Sequence, residues 1–181
     1  MNKKRDTEVT FREVQKFRQR ALWILLLITD FLTLILFGYG IFKQLIMGQS
    51  WGSRPMPDSV LVIVGALTIL LLSVLTYAFY RMKLVTEVRN DGLSIRFFPL
   101  TTQIIPFEHI RTCKAREYHP IREYGGWGIR YGIKGKAYNV SGNRGVQLEL
   151  IQGKSLLIGS QRPEELAHAI QDKIHKNSVE F

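Results

Sequence analysis

The chain has 181 residues, 46% of them hydrophobic and 22% charged, with a formal net charge of +10. That length accommodates one membrane-length helical hairpin plus one domain of about 100 residues and leaves no room for a second soluble domain. The lone cysteine, Cys113, excludes an intramolecular disulfide and any multi-cysteine metal site, and fits a reducing compartment.

Residues 1–20 carry seven basic and three acidic side chains, residues 21–80 balance Lys43 and Arg54 against Asp30 and Asp58, and the remainder carries +6. Basic flanks of apolar spans face the cytoplasm and anionic lipid. No basic run alternates with aromatics as a strand-binding groove requires, so nucleic acid is not an expected partner. From Thr10 onward Phe11, Val14, Phe17, Ala21 and Leu22 recur at helical spacing, with Arg12, Lys16 and Arg20 four apart on another face. This predicts residues 1–20 as a cytoplasmic amphipathic segment, a helix in the interface running into the first span. A solvated extension of that span fits the same spacing.

Residues 21–42 and 59–80 are apolar stretches of 22 residues each, and a helix of that length spans roughly 33 Å, the hydrocarbon thickness of a bilayer. They predict a transmembrane hairpin over residues 21–80. The alternative, a buried core hairpin in a soluble protein, leaves too few residues to cover two helices that are apolar all round. The first run is too long for a cleaved signal and lacks a small-x-small site after it, so it is expected to remain in the mature chain. Residues 43–58 hold Gly48, Gly52, Pro55 and Pro57 and read as a loop with Trp51 as an interfacial anchor. Seven Lys or Arg precede the first span, two lie in the loop, and Arg81, Lys83, Arg89 and Arg96 follow the second. The count places both termini in the cytoplasm.

Asp30 is the single charge within the first span, and an ionisable group at that depth is a functional candidate by default. In an antiparallel hairpin its depth matches residues near Leu72, so Ser73 or Thr76 could exchange a hydrogen bond with it, and Thr33 is a second candidate partner. The functional reading is a proton or ion step, or a contact to another membrane subunit. The structural reading, a polar clamp between the two helices, carries more weight.

Beyond Arg81 the pattern changes to period two. Residues 84–89 read as a strand, Asn90-Asp91-Gly92 as a hairpin turn, and residues 93–98 as its return. A turn at 99–102, an extended segment ending in a strand at 110–118, and a loop at 121–126 follow. Trp127, Ile129, Tyr131 and Ile133 alternate with smaller or charged residues, which predicts a strand with its bulky face inward. Strands at 136–140, 146–150 and 155–159 complete about seven antiparallel strands in a twisted sandwich or barrel. Pro163, Glu164 and Glu165 then open a helix whose stripe of Leu166, Ile170 and Ile174, with Ala167 alongside, plugs one end of the sheet.

That order, with the segments Tyr124-Gly125-Gly126-Trp127-Gly128-Ile129-Arg130, Ser141-Gly142-Asn143-Arg144-Gly145-Val146-Gln147-Leu148 and Ile158-Gly159-Ser160-Gln161-Arg162-Pro163-Glu164-Glu165-Leu166, resembles an uncharacterised family of bacterial membrane proteins in which a two-helix hairpin precedes a PH-like domain. The resemblance implies an α+β membrane protein with a cytoplasmic PH-like domain over residues 81–181, multi-pass in the inner membrane. It brings no activity with it. Residues 89–95 lack the basic first-loop pattern with which many PH domains bind phosphoinositides, so that function is not carried over.

No catalytic set is legible. His109, His119, His168 and His175 have no metal spacing, and His109 and Cys113 on one strand lie too far apart for a base and its nucleophile. An enzyme is not expected, and no cofactor or metal. The surface that invites a role is basic: Lys114, Arg116, Arg122, Arg130, Lys134, Lys136 and Arg144, several of them expected near Trp127. It reads equally as a face for anionic headgroups or an acidic partner, and as an ordinary solvated surface. Two functions follow. One is a non-enzymatic, membrane-anchored binding or assembly module that recruits a protein, peptide or anionic lipid. The other is a small accessory subunit of a transporter that engages its partner through Asp30. The expected partners are the bilayer, anionic headgroups and an unidentified protein, with self-association left open.

Overall fold

The computed structural model describes residues 9–132, 135–151 and 153–179. The chain divides into two compact units, one of Arg18–Arg81 and the other of the chain up to Phe17 with everything from Met82 onward.

The first unit is a helical hairpin. Helix α1 (Arg20–Ile41) continues through one π-helical turn (Phe42–Ile46), and α2 (Asp58–Arg81) returns. Both are long and apolar enough to cross a membrane, within a residue or two of the bounds predicted for α2 and for the start of α1. Leu25, Phe31, Leu70 and Leu71 all lie exposed, so these helices are apolar on faces that the protein does not cover. Contact between them is close where a side chain is missing: a Cβ on Gly65 would stand 2.9 Å from Cδ1 of Phe37. The Trp51 ring packs against Gly40. Gln44 Nε2 donates to the Met56 carbonyl and to Asp58 Oδ1, both at 2.7 Å, joining the end of the first helix to the start of the second. At the other end Trp23 and Tyr80 meet edge to face at 6.4 Å.

Among the described residues, the second unit holds nine strands in two sheets and a C-terminal helix. Strands β1 (Val9–Lys16), β2 (Lys83–Arg89), β3 (Gly92–Phe98) and β4 (Thr101–Ile105) form an antiparallel sheet in that order. After a 3₁₀ turn (Phe107–His109), β5 (Ile110–Glu117), β6 (Gly128–Gly132), β7 (Gly135–Asn139), β8 (Arg144–Leu150) and β9 (Ser155–Gly159) make a second sheet in the order β5-β8-β9-β7-β6. A short helix α3 (Pro120–Tyr124) links β5 to β6, and α4 (Pro163–Val179) ends the fold. The core of the first sheet follows its register, with Phe11, Val88 and Leu93 in one row and Leu84 and Phe97 in another. In the second, Cys113, Leu148 and Leu156 form one row and Val146, Ile158 and Tyr138 the next. Of the predicted stripe on α4, Leu166 and Ile170 are fully buried, Ala167 is nearly so, and Ile174 is half-buried.

Four expectations are corrected. Residues 9–16, read as part of an amphipathic helix, form strand β1. Phe11, Glu13 and Gln15 point inward while Val14 is 45% exposed, so the buried face has period two but two of its three residues are polar. That hid it from a reading based on apolar spacing. The segment therefore belongs to the domain, not to a separate piece spanning residues 1–20. Among the described residues the strands number nine instead of about seven, and β7 and β9 run parallel, because the β8–β9 hairpin folds back to insert β9 between β8 and β7. Gly135, at φ +98°, permits that approach, since a Cβ there would lie 2.1 Å from the Ser155 carbonyl oxygen. Residues 120–124, expected as loop, form α3, capped by Gly125 in the left-handed region. Finally, the bulky side chains expected to face inward at β6 do so only in part: Trp127 and Ile129 are half-buried, while Tyr131 is 77% exposed and covered only by the Lys136 ammonium, 5.5 Å from its ring centroid, among the described contacts. Ile133 and Lys134 lie outside the described residues.

Candidate functional site

Asp30 of α1 is half-buried and accepts a hydrogen bond at Oδ2 from the Thr76 hydroxyl of α2, at 2.8 Å. Of the polar residues expected around it, Thr76 is thus brought to it. Ser73 is exposed, and neither it nor Thr33 hydrogen-bonds to Asp30 among the described residues. The pair joins the two helices across 46 positions of sequence.

Of the basic residues expected near Trp127, Arg130 contacts it among the described hydrogen bonds. Arg116 is the most enclosed: it donates to Gln147 Oε1 at 2.9 Å and to Glu123 Oε2 at 2.9 Å, and its plane lies over the Tyr118 ring. It bridges β5, β8 and α3. Burial works against its charge, yet the hydrogen bond and charge of Glu123 outweigh that and raise its pKa. Beneath it Tyr118, Tyr124, Ala137 and Leu157 form a small apolar cluster. Burial raises the pKa of both phenols, offset in part by the Asn139 amide at Tyr118 and by the Arg116 charge at Tyr124. Arg144 pairs with Glu164 of α4, and Arg130 Nε donates to the carbonyl of Trp127 at 2.9 Å. Trp127 itself donates from Nε1 to the Gly142 carbonyl at 3.0 Å. Lys114 and Arg122 are exposed, Lys114 in a shallow recess with Gln171 and His175 of α4. Lys134 lies outside the described residues.

Two of these cations, Arg116 and Lys136, do line a common feature that sequence reasoning missed. An open groove of about 840 Å³ runs along the second sheet between Tyr131, Lys136, Gln147, Glu149, Lys154 and Ser155, with Gln103 of the other sheet at its side. The Lys136 ammonium stands 4.6 Å from the centroid of the Tyr138 ring and 5.5 Å from that of Tyr131. Tyr138 in turn donates to Gln103 Oε1 at 3.1 Å, and Gln147 Nε2 donates to the Ser155 hydroxyl at 2.6 Å. Burial pulls the Lys136 pKa down, but the hydrogen bond to Tyr138 and the charges of Tyr138 and Tyr131 carry it upward overall. Its lining carries the side-chain amides of Gln103 and Gln147, the cations Arg116, Lys136 and Lys154, and one carboxylate, Glu149, among the described residues. Such a groove can hold an extended peptide or a small anion by hydrogen bonding. Gln103 and Lys154 lie 51 positions apart, and no local spacing announces their meeting.

Residues 1–176 match a family of unknown function, DUF6141. The chain belongs to that family. No curated protein and no solved structure matches it. In this DUF6141 chain the segments that carried the resemblance are structural joints. Tyr124 is buried under Arg116, Ser160 donates to Glu13 at 2.5 Å, the Arg162 guanidinium lies 4.8 Å over Phe11 and donates to the Arg12 carbonyl at 2.8 Å, and Pro163 opens α4.

Proposed function

We propose that this chain is a non-enzymatic, membrane-anchored binding or assembly module. Its two apolar helices cross the bilayer, and its two-sheet domain, PH-like in its largely antiparallel strands followed by a C-terminal helix, works at the cytoplasmic face of the inner membrane. The observation that carries the reading is the pairing of β1 with β2, Lys16 opposite Lys83. The helical hairpin is an insertion between two neighbouring strands, so a crossing by both helices returns the chain to the sheet it left. The basic flanks favour the cytoplasm as that side. Aromatics support the crossing: Tyr77 and Tyr80 near one end and Tyr39 and Phe42 near the other are exposed, as interfacial belts are. The groove and the edges of the sheets supply the binding surface for a protein, a peptide or an anionic headgroup. In the rival reading Asp30 engages a larger membrane subunit; its hydrogen bond to Thr76 gives it a partner within the hairpin and favours the clamp.

The test is affinity capture from native membranes in mild detergent, with the wild type, Asp30→Leu, and Lys136→Glu combined with Lys154→Glu. A soluble partner kept by Asp30→Leu and lost by the groove variant supports the module. An integral membrane partner lost only with Asp30→Leu overturns it in favour of the accessory subunit.

A further inference from the structure

We propose that the β3–β4 turn is a third point of membrane attachment, at which Leu100 and Phe98 enter the lipid interface and Lys16 and Lys83 lie among anionic headgroups. The proposal rests on the reading of α1 and α2 as bilayer spans.

The register of the first sheet sets it up. Lys83 opens β2 two residues after Arg81 ends α2, Lys16 closes β1 four residues before Arg20 opens α1, and the two lysines are paired. On its other side Lys83 pairs with Phe98. The end of the sheet to which both helices are tethered therefore also displays the β3–β4 turn. That turn is tight, the Leu100 amide donating to the Phe97 carbonyl at 2.8 Å. Its tip is apolar: Leu100 is 61% exposed, and Phe98 is half-buried with the Lys83 ammonium 5.5 Å over its ring.

The opposite end of the same sheet offers the contrast. There the β2–β3 turn is Asn90-Asp91, polar and acidic, with Asn90 Oδ1 accepting from Lys173 of α4 at 2.7 Å. Both turns join the same kind of antiparallel strands, so turn formation does not explain why one tip is apolar. Charge divides along the same line. At this end of the sheet residues 14–17, 82–86 and 96–102 hold Lys16, Lys83 and Arg96 and no carboxylate. An exposed aliphatic tip beside the paired Lys16 and Lys83, on strands that continue in the chain into two apolar helices, fits an anionic bilayer surface.

The test uses the full chain in lipid nanodiscs, with an environment-sensitive fluorophore on a single cysteine in a Cys113→Ala background. The labelled sites are Leu100→Cys, Asp91→Cys and Leu70→Cys, and the quencher is a nitroxide on the lipid. The expected result is strong quenching at position 70, quenching at position 100 several-fold above that at position 91, and loss of the difference when phosphatidylglycerol is omitted or Lys16 and Lys83 are changed to Glu. Equal, weak quenching at 100 and 91 with strong quenching at 70 overturns the attachment and leaves the spans intact. Weak quenching at 70 overturns both. In the unlabelled native chain, amide exchange at residues 98–102 should be slower in nanodiscs containing phosphatidylglycerol than in those without it; equal rates overturn the proposal.

Discussion

Glu13 shows why single residues in this fold carry more than their own contact. Its buried carboxylate accepts from Gln15 Nε2 at 3.0 Å, from the Ser160 hydroxyl at 2.5 Å and from the Gln161 amide at 2.8 Å. Those bonds tie the first strand to the turn that leads into α4. Glu13→Ala leaves several buried donors without an acceptor, so it should lower stability by about 2–3 kcal/mol in chemical denaturation of the full chain in detergent. Cys113 gives a pH prediction. Burial pushes its thiol from 9.0 up to about 12, with Sγ near the Ala167 carbonyl of α4. Between those values the folded chain keeps a proton that the unfolded chain releases, so stability falls as pH rises through that window. Above pH 10.0 the raised phenols of Tyr118 and Tyr124 add to the same slope. Cys113→Ala should flatten the decline between pH 9 and 10, measured by thermal melting. The wild-type thiol should stay unlabelled by maleimide at neutral pH until the chain is unfolded.

At the scale of elements, specific joints hold α3 and the helical hairpin in place. Arg116 bridges Glu123 of α3 to Gln147 of β8, and the side chains on either end are largely enclosed. Arg116→Ala should speed amide exchange across residues 123–126 and cost on the order of 2 kcal/mol, and Arg116→Lys should not restore protection, because an ammonium cannot span both acceptors as the guanidinium fork does. In the hairpin, Gly65→Leu forces Phe37 out of contact with α2, since even a Cβ there stands 2.9 Å from its ring. The result should be loss of α1–α2 packing, seen as faster exchange or a lower melting temperature in micelles. Thr76→Val should cost only about 0.6 kcal/mol, the usual worth of one interhelical hydrogen bond in apolar surroundings. These elements were partly legible. Asp30 and a hydroxyl at matching depth could be paired by counting along two helices. The roles of Arg116 and Glu123 could not, because they depend on which strand lies beside β5, and β8 reaches it from 27 or more positions away.

For the whole molecule, the decisive relation is that the helical hairpin interrupts a sheet. If Arg18–Arg81 is an insertion between paired strands, its replacement by a short Asn-Gly linker should leave a folded, water-soluble domain with its nine strands, because Lys16 and Lys83 are already cross-strand neighbours. Retaining Phe17 keeps its edge contact with Phe97 at 6.2 Å. Removing residues 1–16 instead should leave the domain insoluble, since β2 then loses its partner and Ser160 and Gln161 lose Glu13. Two-dimensional amide spectra of the first variant and size-exclusion profiles of both check this.

The sequence by itself determined what depends on neighbours in the chain. Two runs of 22 apolar residues read as helices because 3.6-residue periodicity and length need no partner. The turn at Asn90-Asp91-Gly92 and the helix start at Pro163 read from local backbone preferences. Tertiary structure alone decided the rest. Strand β1 exists because β2, 67 or more positions away, offers it a ladder, and its buried Glu13 is tolerable because Ser160 and Gln161 come from the far end of the chain. The parallel seating of β9 beside β7 and the groove between Gln103 and Lys154 arise likewise from pairings that span much of the domain. A polar residue's burial is set by the partners it meets, and those partners are fixed only when the sheets close.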